Sequence, residues 1–239
     1  MPRTPLLLLP GLLCDERLWR DQLAGLADLA EPVVADVTLD DSLGAMAERA
    51  LAAMDAAGAP RFAMAGLSMG GYAAFEVMRR APGRVERLAL LDTSARPDTP
   101  DQARQRRGLI SLTRSGRFRG VTPRLLPRLL HPANLGGPLA EEVMAMAERV
   151  GRDAFLRQQA AILGRPDSRA DLGAIAVPAL VAVGEADAMT SPELAREIAA
   201  GIPGAVLREV PGCGHLPPME APEAVTAMLR DWLGWPARA

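Results

Sequence analysis

Ser68 stands in the string Ala65-Gly66-Leu67-Ser68-Met69-Gly70-Gly71, a G-x-S-x-G pattern. A serine hydroxyl attacks a carbonyl only when a base removes its proton, and the base needs an acid to fix its tautomer. The chain has two histidines. His215 ends the glycine-rich run Val210-Pro211-Gly212-Cys213-Gly214-His215 and is the candidate base. His131, in Leu130-His131-Pro132, falls in an arginine-rich helical stretch and reads as a solvated or packing residue. The acid is expected upstream of His215, at a strand end. Asp187 meets that condition, in Glu185-Ala186-Asp187 directly after the apolar run Pro178–Gly184. Asp92, after Leu88-Ala89-Leu90-Leu91, is the alternative acid, and Glu185 reads as a loop residue. These residues point to acyl transfer to water. His215 takes the proton as Ser68 attacks an ester carbonyl, Asp187 holds the imidazole, and water then releases the acyl group. This chemistry calls for no cofactor and no metal.

The elements that must hold these groups follow from the apolar pattern. Arg61–Ala65 before Ser68 reads as a short buried strand, and Tyr72–Met78 after it as a helix. A serine on a strand-to-helix turn is lifted clear of the sheet, and close backbone approach there demands glycine nearby. The new helix also points its positive end at the reacting centre. Further strands are expected at Leu6–Leu9, Val33–Val37, 85–91, 179–183 and 205–210. Helices are expected at Glu16–Leu29, Ser42–Ala57 with Ser42 as N-cap, 70–81, 191–200 and 221–233. Such alternation predicts an α/β fold, a parallel sheet covered by helices on both faces. From Arg96 to Leu172 there is no strand candidate, only helical patches near 101–115, 121–130, 138–150 and 152–164.

The order Ser68, Asp187, His215, with Gly214-His215 followed by Glu220-Ala221-Pro222-Glu223, resembles the α/β-hydrolase superfamily over nearly the whole chain. The resemblance implies a mostly parallel sheet flanked by helices and a helical cap. Residues 1–95 and 173–239 would form the core and 96–172 the cap or lid insert. The dipeptide His-Gly, usual after the first core strand, is replaced here by Pro10-Gly11. The oxyanion hole uses main chain, so the backbone N–H groups of Leu12 and Met69 remain its expected donors. Members usually carry two further strands at the start; beginning at Leu6-Leu7-Leu8-Leu9, this chain is expected to form about six. The same triad serves lactone, thioester and C–C hydrolysis and perhydrolysis in relatives, and a non-catalytic small-ligand receptor is the reading from another class.

Composition fits one globular domain: 239 residues, 49% of them hydrophobic, suffice for a large core. A net charge of −2 gives no reason to expect nucleic acid. No apolar run reaches membrane-spanning length, the short run before Cys14 lacks a signal-peptide cleavage site, and two distant cysteines make neither a disulfide framework nor a zinc set. Cys14 and Cys213 read as buried thiols, and a cytoplasmic enzyme is expected. All basic residues are arginine, and between residues 96 and 128 nine arginines face two acids, Asp98 and Asp101. That bias would attract an anionic substrate or an acidic carrier protein, partners that resemble those of the carrier-protein ester esterases and the enol-lactonases. Arg96, just past the strand end at Asp92, is the candidate substrate-binding arginine.

Overall fold

The first strand supplies the reason for the architecture: Leu6, Leu7, Leu8 and Leu9 are all fully buried, so both faces of the strand they form must be covered. The computed structural model describes residues 3–236. Its strands are β1 (Thr4–Leu9), β2 (Ala30–Val34), β3 (Phe62–Leu67), β4 (Val85–Leu91), β5 (Ala179–Gly184) and β6 (Val206–Val210). They form one six-stranded sheet in the order β2-β1-β3-β4-β5-β6, with every neighbouring pair parallel. The α/β-hydrolase fold expected from the sequence is thus present, at the expected strand number.

Alternation along the strands divides the core into two. Leu7, Leu9, Phe62, Met64, Leu88, Leu90, Val181 and Val183 face one side. There they meet α2 (Leu43–Ala56), α3 (Met69–Arg80) and α7 (Pro192–Gly201). Leu6, Leu8, Ala63, Ala65, Leu67, Ala89, Leu91, Leu180 and Ala182 face the other. They pack against Leu18 and Trp19, which precede α1 (Arg20–Gly25), and against α9 (Pro222–Leu233), which follows the short α8 (Pro217–Glu220). Ser42 caps α2 as expected, accepting the Ala45 N–H at 3.2 Å.

Two elements differ from the sequence pattern. The expected strand Val33–Val37 starts earlier, at Ala30, and takes in Pro32; β2 is an edge strand, where a residue without an N–H is tolerated. The expected helix Glu16–Leu29 is a 3₁₀ turn, Glu16–Trp19, followed by the short α1.

Between β4 and β5 lie α4 (Pro100–Arg114), α5 (Leu126–Leu129) and α6 (Pro138–Leu163). The prolines reduce the patch expected at 121–130 to a single turn. Gly151, at φ 80° and ψ 178°, breaks α6 where the two patches were expected to meet. The two ends of the segment are tied together by the Asp98 side chain, whose Oδ1 accepts from Arg165 at 2.7 Å. The Arg165 guanidinium lies 4.5 Å from the Tyr72 ring centroid.

The strand order reverses between β1 and β3, and the crevice outside the carboxyl ends of strands at such a reversal is where open α/β sheets bind ligands. Glycines let the chain crowd into that crevice: a Cβ on Gly70 would lie 2.0 Å from the Leu9 carbonyl oxygen, whereas one on Gly83 would meet nothing within 4 Å. Gly70→Ala is therefore expected to lower Tm by at least several degrees or to abolish soluble protein, and Gly83→Ala to leave Tm within about 2 °C. Thermal denaturation of the two variants side by side checks this.

Candidate active site

Five side chains or loops converge at the carboxyl ends of five strands. Gly11-Leu12-Leu13 follows β1, Ser68 follows β3, Asp92 follows β4, Asp187 follows β5 and His215 follows β6. Ser68 sits on the turn into α3 with φ 54° and ψ −113°. Its backbone is held on both sides: its N–H donates to the Leu91 carbonyl at 3.0 Å, and its carbonyl accepts from Thr93 Oγ1 at 2.8 Å. A Cβ on Gly66 would lie 2.4 Å from the Gly70 carbonyl, so the glycine before the serine is required by contact with the one after it.

His215 Nε2 is 2.9 Å from Ser68 Oγ, and His215 Nδ1 is 2.9 Å from Asp187 Oδ2. Asp187 accepts further hydrogen bonds from the Met189 N–H at 2.7 Å, the Thr190 N–H at 3.0 Å and Thr190 Oγ1 at 2.7 Å. Burial alone would raise the Asp187 carboxyl. The charge of His215 and the hydrogen bonds from His215 and Thr190 outweigh it, and the group is held below its ordinary value. Asp187 thus stays ionised beside the imidazole.

Asp92 does not reach the imidazole as Asp187 does. It is fully buried at φ 44°, with Oδ1 accepting from the Gly184 N–H at 2.8 Å and Oδ2 unpartnered. Desolvation first, and then the Asp187 charge, push its carboxyl well above the usual carboxylate range. Asp92, Asp187 and His215 bring possible ligand atoms within 4.8 Å of one another. Both Asp187 oxygens already accept hydrogen bonds and His215 Nδ1 is engaged with one of them, so this set is a hydrogen-bonded relay rather than an open cation cage.

The His215 loop is tied to the segment between β4 and β5. The His215 N–H donates to the Leu129 carbonyl at 2.8 Å. Glu220 accepts from the Gly214 N–H at 2.8 Å and the His131 N–H at 2.7 Å, so one carboxylate joins the histidine loop to that segment. His131 itself takes no part in the relay; its Nδ1 accepts the Ala133 N–H at 3.2 Å.

Ser68 and His215 open onto a cavity of about 90 Å³. Leu12, Leu13, Leu67, Leu216, and Val121, Leu125, Leu129, Val143 and Met146 of the helical segment give it apolar walls. Among the described residues no guanidinium or carboxylate lines it. Cys14 lines it too, but burial pushes its thiol up to about 12, as it does for Cys213, and both thiols are uncharged at neutral pH. Among the described residues the backbone N–H groups of Leu12 and Met69 make no hydrogen bond.

The structure corrects the expectation for Arg96. Its guanidinium lies on the surface, bound to Glu197 of α7 with both Nε and Nη2 at 2.9 Å from carboxylate oxygens, and does not line the cavity. The loop after Asp92 turns toward α7, held by Arg165 Nε donating to the Arg96 carbonyl at 2.9 Å. Sequence reasoning missed Thr190, which lies only three residues past Asp187, and the buried Gln158 of α6, whose Oε1 accepts the Leu13 N–H at 3.0 Å.

Residues 6–228 match the model of the alpha/beta hydrolase family. The chain is 32% identical over 159 residues to a pimeloyl-[acyl-carrier protein] methyl ester esterase of Chromobacterium violaceum, an alignment covering 64% of this chain and 62% of that protein. Among solved structures it is similar to a thermophilic esterase from Thermogutta terrifontis, with TM-score 0.88, 31% identity, and 96% and 89% of the two chains covered. It is also similar to the enol-lactonase from Burkholderia xenovorans LB400, with TM-score 0.86, 25% identity, and coverage of 98% and 93%.

The upward displacement of the Asp92 carboxyl has a measurable consequence. Above about pH 4 the unfolded chain ionises this carboxyl while the folded chain keeps it protonated, so stability falls as pH rises through that window toward the raised folded value. Asp92→Asn removes the penalty and keeps the acceptor for the Gly184 N–H. Its Tm should exceed the wild-type value at pH 8, by about 2–4 °C for each ~1 kcal/mol gained, and the gap should close toward pH 4. Calorimetry of both proteins across that range is the check; a variant less stable than wild type at pH 8 contradicts the assignment.

Proposed function

The chain belongs to the alpha/beta hydrolase family, and on that premise we propose that it is a serine hydrolase of small carboxylic esters or lactones whose acyl part is short and apolar. The observation that carries the reading is the unbroken chain Ser68 Oγ, His215 Nε2, His215 Nδ1, Asp187 Oδ2, with both links at 2.9 Å, at the wall of an apolar cavity.

In this reading His215 accepts the Ser68 proton as Oγ attacks the carbonyl carbon, and Asp187 stabilises the imidazolium. The Leu12 and Met69 N–H groups receive the oxyanion; Met69 also stands at the positive end of α3. The imidazolium then returns its proton to the departing alkoxide. A water, deprotonated by His215, attacks the acyl-enzyme, and Ser68 recovers its proton as the acid leaves. The helical segment acts as a cap, since its Val121, Leu125, Leu129, Val143 and Met146 complete the cavity.

Cavity size and lining support the substrate class. About 90 Å³ bounded by apolar side chains leaves room for a short acyl chain. A distal carboxylate within it would be desolvated with no partner, at a cost of several kcal/mol.

One observation favours a second reading for the other half of the substrate. Among the described residues the guanidinium groups of Arg107, Arg114, Arg117, Arg119, Arg124 and Arg128 make no ion pair or hydrogen bond, and Arg124 and Arg128 are exposed beside the cavity-lining Leu125 and Leu129. An anionic alcohol or an acidic carrier protein would be drawn to this face from outside, while the acyl group entering the cavity stays neutral. The esterase of Chromobacterium violaceum, named for a carrier-protein ester, supports that reading.

Turnover of p-nitrophenyl butyrate should fall by about 10⁴–10⁶ in Ser68→Ala with the fold retained; undiminished turnover removes the reading. In a matched pair of acyl groups, butyrate should exceed hemisuccinate in kcat/KM by at least about tenfold, because of the desolvation above. For a pair of leaving alcohols, anionic and neutral, any preference for the anion should shrink as salt is raised beyond about 0.15 M; a preference that ignores salt leaves the arginines as ordinary surface.

A further inference from the structure

The glycine-rich loop that carries His215 owes little of its shape to the sheet. Between β6 and α8 the Cys213 carbonyl accepts the Ala186 N–H at 2.9 Å, and the next three residues turn their N–H groups elsewhere. Glu220 Oε1 accepts from the Gly214 N–H at 2.8 Å and from the Leu216 N–H at 3.3 Å. The His215 N–H, between them, donates to the Leu129 carbonyl at 2.8 Å. One carboxylate oxygen therefore grips the backbone on both sides of His215. Glu220 Oε2 accepts from the His131 N–H at 2.7 Å and from Asn134 Nδ2 at 3.0 Å. Four donors converge on this side chain, an arrangement made for a carboxylate, which accepts at both oxygens.

These bonds supply a second fixed point for the imidazole. Asp187 holds Nδ1 at 2.9 Å, which leaves the ring free to swing about that bond. The other point is the His215 backbone. Gly212, at φ 65°, and Gly214 impose little conformational preference on it, and Pro217 and Pro218 have no N–H to offer. The path of the loop is thus set by its hydrogen bonds. Gly214 and Leu216 are both buried, so loss of the Oε1 acceptor leaves two buried N–H groups unmet. The loop relieves that strain only by moving, and His215 lies between the two groups that move. A displacement of about 1 Å at a catalytic group costs on the order of 10²-fold in rate.

We propose that Glu220 is a positioning residue for the catalytic base: by binding the N–H groups on either side of His215, its Oε1 sets the imidazole against Ser68. The proposal rests on the serine-hydrolase reading above. It assigns to Glu220 the placement of the loop and no share in stabilising the imidazolium charge.

The test compares Glu220→Asp, Glu220→Gln, Glu220→Met and Asn134→Ala with wild type, each below its own Tm. The readouts are kcat and KM for p-nitrophenyl butyrate and the proton resonance of the His215 Nδ1–H, which lies far downfield of the amides when shared with a carboxylate. Of the chain's two histidines, His131 adds no such signal, because its Nδ1 accepts the Ala133 N–H. Aspartate keeps the charge but falls about 1.5 Å short of the loop. Glutamine keeps the reach: its oxygen can serve Gly214 and Leu216, its amide opposes only the His131 N–H, and Asn134 can turn to accept from it. Glu220→Asp and Glu220→Met should therefore lower kcat about 10- to 100-fold and broaden or abolish the resonance. KM should stay within about twofold, since His215 serves acylation and deacylation alike. Glu220→Gln should keep the resonance and at least about a fifth of kcat. Asn134→Ala leaves both loop bonds in place and should stay within about threefold of wild type. Glu220→Met carries the test if Glu220→Asp does not fold. The proposal is overturned by wild-type kcat and resonance in Glu220→Asp or Glu220→Met, or by a loss confined to KM. A larger loss in Glu220→Gln than in Glu220→Asp overturns it in favour of charge, and an equal loss in Asn134→Ala in favour of attachment of the helical segment. Ser68→Ala separates the two levels. If it turns over like wild type, the serine-hydrolase reading fails; if it is inactive while Glu220→Asp is unimpaired, only the positioning role fails.

Discussion

Three non-glycine residues among those described hold a positive φ: Leu13 at 59°, Ser68 at 54° and Asp92 at 44°. They stand at the carboxyl ends of β1, β3 and β4, which are neighbours in the sheet. Each such conformation costs on the order of 1–3 kcal/mol and persists only where the surroundings over-determine it. Here each has its own restraint. Leu13 is held by Gln158, Ser68 by the Leu91 carbonyl and Thr93, and Asp92 by the Gly184 N–H. The fully buried strands beneath provide the rigidity. Glycines at 11, 66 and 70 let the three strand ends approach closely enough for a hydroxyl, a backbone donor and a buried acid to share one crevice.

The segment between β4 and β5 is bound into this arrangement rather than laid over it. Its Leu129 carbonyl and His131 N–H engage the His215 loop directly or through Glu220, while its Gln158 engages the loop after β1. The apolar cavity is closed on one side by strand-end loops and on the other by this segment. In the proposed mechanism the walls that select the acyl group and the bonds that aim the catalytic groups are therefore parts of one structure. Asp92 fits the same logic. Burial and the Asp187 charge hold its carboxyl well above the usual carboxylate range, while that of Asp187 is held below it, so the negative charge beside His215 falls to Asp187.

Much of this was legible in the chain. The apolar runs fixed by Leu6–Leu9, Met64–Leu67 and Leu180–Val183 are strands because only a sheet covered on both faces can bury them, and the βα alternation then dictates parallel order. Ser68, Asp187 and His215 stand out because each follows such a run at a turn rich in glycine or small residues. What was not legible depends on where helices face. The helical patch expected at 152–164 carries no mark of its buried face, yet Gln158 and Gln159 are both buried, because the second half of α6 is enclosed by the loops after β1 and β2 and by Arg106. Arg96 carries a charge at a promising distance from Asp92, but the path of the loop toward Glu197 is a tertiary fact that spacing does not encode. Pro32 was skipped as a strand residue because its tolerance depends on β2 being an edge.

The central claim is that Ser68 carries the acyl group between two half-reactions. Acid-quenching the enzyme within its first turnovers on a short-chain p-nitrophenyl ester, followed by digestion after arginine and mass spectrometry, tests it directly. Cleavage at Arg61 and Arg79 releases Ser68 in one peptide, residues 62–79. The account predicts a single acyl increment on that peptide, at Ser68, absent when His215 is replaced by alanine. An increment on another residue such as Cys14, or turnover with no covalent increment under conditions where deacylation has been slowed, would contradict it.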